Sequence, residues 1–166
     1  MLGKEEWINI LNIKEMKNEK YILVYSVPKS PLIKNAVDYF SKKLDLKVIS
    51  IDQGLSPGAK VDKHIRDAGP LEYLELFLNA EFIITDSFHG TCFSINFGKQ
   101  FVSVSPGIHS NRIESLLSLV GLKSRIIKNE QDFNSISEDI DFTNTHSRLL
   151  ELQKESLSFL DTALKV

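Results

Sequence analysis

The chain has 166 residues, 42% hydrophobic, 25% charged and 9% aromatic, proportions of one globular domain with a core of its own. Twenty basic and 22 acidic residues leave a formal charge of -2, and a pI near 6.1 gives no electrostatic footprint for nucleic acid. One cysteine, Cys92, excludes an internal disulfide or a cysteine metal cluster, and no segment reads as a signal peptide or a spanning helix, so a soluble, cytoplasmic protein is expected.

Residues 1–20 carry charges throughout and read as a linker or leading helix. YILVYSV, 21–27, is a short β-rich run cut by Pro28 and Pro31. Leu32, Ala36, Phe40 and Leu44 then recur at steps of four, one face of a helix. LKVISI, 46–51, is a second strand, and the polar, glycine-containing stretch 52–69 reads as loop. Pro70 sits where a helix starts, because its missing N–H is one that the first turn leaves unbonded anyway. EFIIT (81–85) and QFVSVS (100–105) are the third and fourth strands. NRIESLLSLVG is a helix bracketed by an Asn111/Glu114 capping box and by Gly121. Leu150, Leu157, Leu160 and Leu164 mark a last amphipathic helix over 145–164.

Strands that are apolar almost throughout, alternating with helices, predict a parallel sheet covered on both faces. The expected fold is α/β and Rossmann-like, a single domain over 1–166 with four or five strands.

The unusual feature is Asp86-Ser87-Phe88-His89-Gly90-Thr91, where a strand gives way to a helix. Open α/β sheets bind ligands beyond the carboxyl ends of their strands, and a helix start offers free N–H groups to an anion. Ser87 and Thr91 are candidate hydroxyl donors, His89 an imidazole donor, and Gly90 a point of close ligand approach. A structural reading stands beside this one. Asp86 or Ser87 is then an N-cap, His89 a structural histidine, and Ser87, Thr91, Ser94 and Gly98 a small-residue face packing on the sheet.

Arg112, following Asn111, places a cation at the positive end of a helix. It is either a fork for a bound anion or a surface arginine paired with Glu114. His109, in the loop 105–111 on the same sheet edge, is a weaker candidate. DKHIRD, 62–67, has metal-capable side chains but no second cluster, so it reads as a solvated loop and no metal is expected. P-loop, GxGxxG and GxSxG patterns are absent from the sequence.

The segments GPLEYLELFLNAEFIITDSFHGTCFSINFGKQFVSV and NRIESLLSLVGLKSRI, roughly 69–126, resemble the polysaccharide pyruvyl transferase family. The resemblance centres on the helix-opening Gly-Pro, the string T-D-S-F-H-G-T and the N-R-I run. It implies transfer of a pyruvyl group from phosphoenolpyruvate to a pair of sugar hydroxyls, forming a ketal on a surface polysaccharide or its lipid-linked precursor, with no cofactor. It implies one half of a B-type glycosyltransferase fold, the donor side, with an N-terminal partner domain missing from this chain. Within it, His89 binds phosphate or donates a proton, and Asp86 is a base or orients the turn. Ser87, Gly90, Thr91, Asn111 and Arg112 hold the donor. The alternatives are a glycosyltransferase domain using a nucleotide sugar and a non-catalytic interaction domain of the same fold.

Overall fold

The computed structural model describes residues 3–11, 19–27, 29–107, 111–136 and 139–164. The expected position of His109 lies outside them. Helix α1 (Lys4–Leu11) precedes strand β1 (Tyr21–Tyr25), α2 (Leu32–Leu44), β2 (Lys47–Ile51), β3 (Lys63–Ile65) and α3 (Pro70–Asn79). Then come β4 (Phe82–Thr85), α4 (Phe88–Asn96), β5 (Gln100–Val104), α5 (Asn111–Leu119), β6 (Ile126–Ile127) and α6 (Phe142–Leu164). The strands form a wholly parallel sheet of six, in the order β3-β2-β1-β4-β5-β6.

Six strands exceed the four or five expected, and both additions are too short or too polar to show a pattern. β3 is the three residues Lys-His-Ile at a sheet edge, inside the segment read as loop. β6 is only Ile126 and Ile127.

Because the central strands are buried on both faces, the core is divided in two by the sheet. On one face Ile33, Ala36, Val37 and Phe40 of α2 meet Ile22, Val24, Val48, Phe82 and Ile84. Phe40 stacks on Phe82 with ring centroids 5.1 Å apart. Full burial of such a ring stabilises the fold by roughly 1.5–3 kcal/mol. On the other face α3, α4 and α5 cover Leu23, Ile83 and Phe101 with Leu74, Phe77, Ile95 and Leu117.

Pro70 opens α3 as expected. At the end of α5, Gly121 takes a left-handed φ of 78°, and the Leu122 N–H reaches back to the Leu117 carbonyl at 2.7 Å. This is the glycine-terminated helix end that the sequence announces. Helix α5 begins at Asn111 among the described residues. On α6, Leu150, Leu157, Leu160 and Leu164 are all at least half exposed, so their stripe faces outward.

Candidate functional site

The strand order decides where a site belongs. From β1 the chain turns to β2 on one side, and from β4 it turns to β5 on the other. The loops leaving the carboxyl ends of β1 and β4 therefore part at a topological switch point, the crevice where open α/β sheets bind ligands.

Asp86 follows β4 directly and spans that crevice. The residue is 1% exposed. It accepts hydrogen bonds from Ser26 Oγ (2.8 Å), the Val27 N–H (2.9 Å) and the Ser30 N–H (2.8 Å), all in the loop after β1. Of the two roles expected for Asp86, these bonds favour orientation: the carboxylate holds the neighbouring loop and is sealed from solvent.

Ser87 occupies the N-cap position of α4, yet its side chain makes no capping bond. Among the described residues no side-chain acceptor is recorded for the first-turn N–H groups of this helix. His89 is exposed in that turn and Phe88 half-buried beside it, their rings 6.0 Å apart. Arg112, exposed at the start of α5, lays its guanidinium 5.2 Å from the centre of the Phe88 ring. The expected partner of Arg112, Glu114, instead accepts from Lys128 Nζ at 2.9 Å. The fold therefore brings His89 and Arg112 to one aromatic ring at the carboxyl edge of the sheet, whereas Ser87 is buried.

Two of the expected donor-holding residues, Thr91 and Gly90, do not fit that role. Thr91 is fully buried, and its hydroxyl is shared between the Ser87 carbonyl (3.0 Å) and Ser103 Oγ (2.8 Å), so it cannot reach a ligand. Gly90 is required by the protein itself: a Cβ there would collide with Thr85 Oγ1 and approach Tyr25 Cδ1 to 3.0 Å. Thr85 cannot yield, because its hydroxyl donates to the Tyr25 carbonyl at 2.6 Å and accepts from the Ser87 N–H at 3.1 Å. Asn111 lies exposed on the first turn of α5, next to Arg112 in the chain. Thr91 and Ser94, both buried, form the small-residue face on the sheet that was the alternative reading of this helix.

Sequence reasoning missed Lys29 and Asp52. Lys29, in the loop after β1, has a left-handed φ of 56°, a costly conformation for a residue with a Cβ. Its Nζ lies 3.4 Å from Asp52 Oδ1 and 3.2 Å from the Ser56 carbonyl. Lys29 lines two clefts, of about 460 Å³ toward α2 and about 610 Å³ over the ends of β1, β2 and β3. Neither cleft is lined by His89 or Arg112. The signal was available, since Lys29 and Asp52 each follow the carboxyl end of a buried strand just as Asp86 does.

Of the DKHIRD cluster, Asp62 bonds the Val48 N–H at 2.8 Å and His64 Nε2 lies 3.2 Å from Asp52 Oδ2. Among the described residues no three His, Cys, Asp or Glu side chains assemble into a metal site.

Burial alone would raise the Asp52 pKa. The Gly54 N–H at 2.6 Å, the Lys29 ammonium and His64 together outweigh it and hold the carboxyl below its ordinary value of 3.8. A depressed folded-state pKa contributes stability above the unfolded value, which is lost as pH falls through the folded one. Asp52→Asn is therefore expected to lower the melting temperature at pH 7 and to have progressively less effect below about pH 4. Equal losses in melts at pH 7 and pH 2 would assign the effect to packing rather than charge.

A family model for polysaccharide pyruvyl transferases matches residues 2–107. It covers β1 to β5 and the turn at Asp86–His89, and ends before Asn111 and Arg112. No curated protein sequence matches the chain. Among solved structures, UDP-GlcNAc 2-epimerase from Methanocaldococcus jannaschii is similar in fold, with a TM-score of 0.50 at 15% identity. The match covers 92% of this chain and 50% of that one, as befits one half of a B-type glycosyltransferase-like architecture. Among the described residues no helix is long and apolar enough to cross a membrane. On the strength of the family match, which spans well over half its length, the chain belongs to the polysaccharide pyruvyl transferase family.

Proposed function

We propose that this domain holds phosphoenolpyruvate as the donor of a pyruvyl transfer to two hydroxyls of a saccharide. One observation carries the reading: an exposed imidazole and an exposed guanidinium both lie against Phe88 at a helix start that Ser87 does not cap. Phosphoenolpyruvate presents a phosphate and a carboxylate a few atoms apart. The α4 start supplies N–H donors and a favourable dipole for one, and Arg112 a two-pronged partner for the other.

In the reaction one sugar hydroxyl adds to the enol carbon while the methylene gains a proton. Phosphate then leaves, and the second hydroxyl closes the ketal on the resulting oxocarbenium ion. One hydroxyl proton ends on the new methyl group and the other leaves with phosphate. His89 is placed in this scheme as the group that binds the phosphate or protonates the methylene. We assign the acceptor to a polysaccharide or its lipid-linked precursor, presented from a second Rossmann-like half.

Calorimetric titration with phosphoenolpyruvate and with UDP-GlcNAc tests this reading. Phosphoenolpyruvate should bind and the nucleotide sugar should not compete; the reverse preference would support a glycosyltransferase instead. Arg112→Ala makes the test residue-specific. Removing a cation from the positive end of α5 gains ~0.3–1 kcal/mol, and losing its contact with Phe88 costs ~0.5–1 kcal/mol, so stability should barely change. Affinity for phosphoenolpyruvate should fall by about 1.5–3 kcal/mol. Arg112→Lys should recover only part, since lysine keeps the charge but not the planar fork. Unchanged affinity in Arg112→Ala would remove the arginine from the site.

A further inference from the structure

The cleft of about 610 Å³ over the ends of β1, β2 and β3 plays no part in donor binding as described above. Its chemistry differs from that of an anion site. Lys29 and Arg66 are balanced there by Asp52 and Asp67, and Lys29 is already neutralised across 3.4 Å by Asp52. A cleft with no net charge does not select a dianion. It does interleave donors and acceptors: Gln53, Arg66 and Asp67 are exposed along it. Neither Arg66 nor Asp67 is engaged in an ion pair among the described residues.

The inner wall is aromatic. Tyr25 and Tyr73 meet edge to face with ring centres 5.0 Å apart, and Tyr73 rests on Phe77 at 4.8 Å. The Tyr73 hydroxyl is buried beside the Tyr25 phenol, and no well-formed hydrogen bond joins it to a described residue. Buried hydroxyls nearly always have such a bond, so a loosely held phenol on a tyrosine that lines the cleft keeps bonding capacity for a polar group. Burial also raises the Tyr73 pKa, with Tyr25 beside it adding to the effect, so the phenol keeps its proton and can donate.

We infer that this cleft binds a neutral pyranose ring of the acceptor saccharide. An apolar ring face would pack on the tyrosines, and its hydroxyls would pair with Asp67, Arg66 and the Tyr73 phenol. The size suits such a ligand, since small-molecule sites run to roughly 300–1,000 Å³. Lys29, on the wall of this cleft and of the one toward α2, lies in the loop that Asp86 holds at the switch point, so the cleft and the start of α4 share the carboxyl edge of the sheet. The sugar's role as acceptor rests on the pyruvyl-transfer reading; the binding of a sugar does not.

Saturation-transfer NMR with the methyl pyranosides of glucose, galactose and mannose at millimolar concentration tests the inference, with uridine and phosphoenolpyruvate as separate probes. At least one pyranoside should receive saturation at its ring protons and should not be displaced by uridine. Asp67→Asn and Tyr73→Phe should each weaken that binding about three- to tenfold, the range for one lost hydrogen bond. Tyr73→Phe should also raise the melting temperature of the free protein, because it removes a buried hydroxyl that no well-formed bond holds. No pyranoside binding, affinity unchanged in both variants, or displacement by uridine would overturn the proposal. Sugar binding without phosphoenolpyruvate binding would retain this cleft and refute the donor reading; the opposite result would do the reverse.

Discussion

Asp86→Ala is expected to destabilise the domain by about 3–5 kcal/mol, the largest single-residue effect on stability. The buried carboxylate accepts three hydrogen bonds, each from a donor in the loop after β1. Bonds to a charged acceptor contribute ~1.5–3 kcal/mol apiece, and removing it strands donors that are themselves partly or fully buried. The loss is not fully additive, because a freed loop can turn some N–H groups to water. Asp86→Asn keeps the volume but turns an NH₂ toward at least one of those donors, so it should recover little. Denaturant unfolding of both variants checks the account. If Asp86→Asn abolished activity while leaving stability within about 0.5 kcal/mol of wild type, Asp86 would be the catalytic base and not the clamp.

The largest effect on activity is expected at His89. His89→Ala should lower the rate of phosphate release from phosphoenolpyruvate in the presence of acceptor by ~10²–10⁴-fold, the usual contribution of a positioned acid or base. The side chain is exposed, and among the described residues the ring contact recorded for it is with Phe88, so the melting temperature should hold. His89→Asn separates the two roles assigned to the imidazole. Asparagine keeps a hydrogen-bond donor but cannot deliver a proton at neutral pH. Restored donor affinity with a persistently low rate would identify the proton donor, and restoration of both would leave His89 as a phosphate ligand. A wild-type rate in His89→Ala would exclude it from the chemistry.

The sequence made the centre of the fold legible because its central strands are apolar throughout. Ile22–Val24 and Ile83–Ile84 are wholly buried, which is how strands covered on both faces read. Helix ends at Pro70 and Gly121 were legible for the same local reason, a backbone demand that only those residues meet cheaply. The edges of the sheet were not. Lys63–Ile65 needs one buried side chain and earns no pattern from three residues.

At the candidate site, the string Asp86 to Thr91 marked the strand-to-helix turn but not the direction of its side chains. Asp86 points back to the loop after β1, and Thr91 points down to Ser103 on β5. Such directions depend on which strands become neighbours, and β1 and β4 are 56 or more residues apart across those contacts. Arg112 was legible through its unfavourable place on a helix. Its contact with Phe88 was not, since α4 and α5 meet only after both pack on the same sheet face. Lys29 and Asp52 escaped notice because neither belongs to a motif, and their pairing links loops that the chain separates by 23 residues.

The central claim is that an anionic donor sits on the first turn of α4 against Arg112. Backbone amide shifts measured by NMR during a phosphoenolpyruvate titration test it most directly. The account predicts the largest shifts at Phe88, His89 and Gly90 and at the Arg112 Nε–H, saturating together with one dissociation constant. Shifts centred on Lys29, Asp52 and Arg66 with the start of α4 unmoved, or no shifts at millimolar phosphoenolpyruvate, would contradict it.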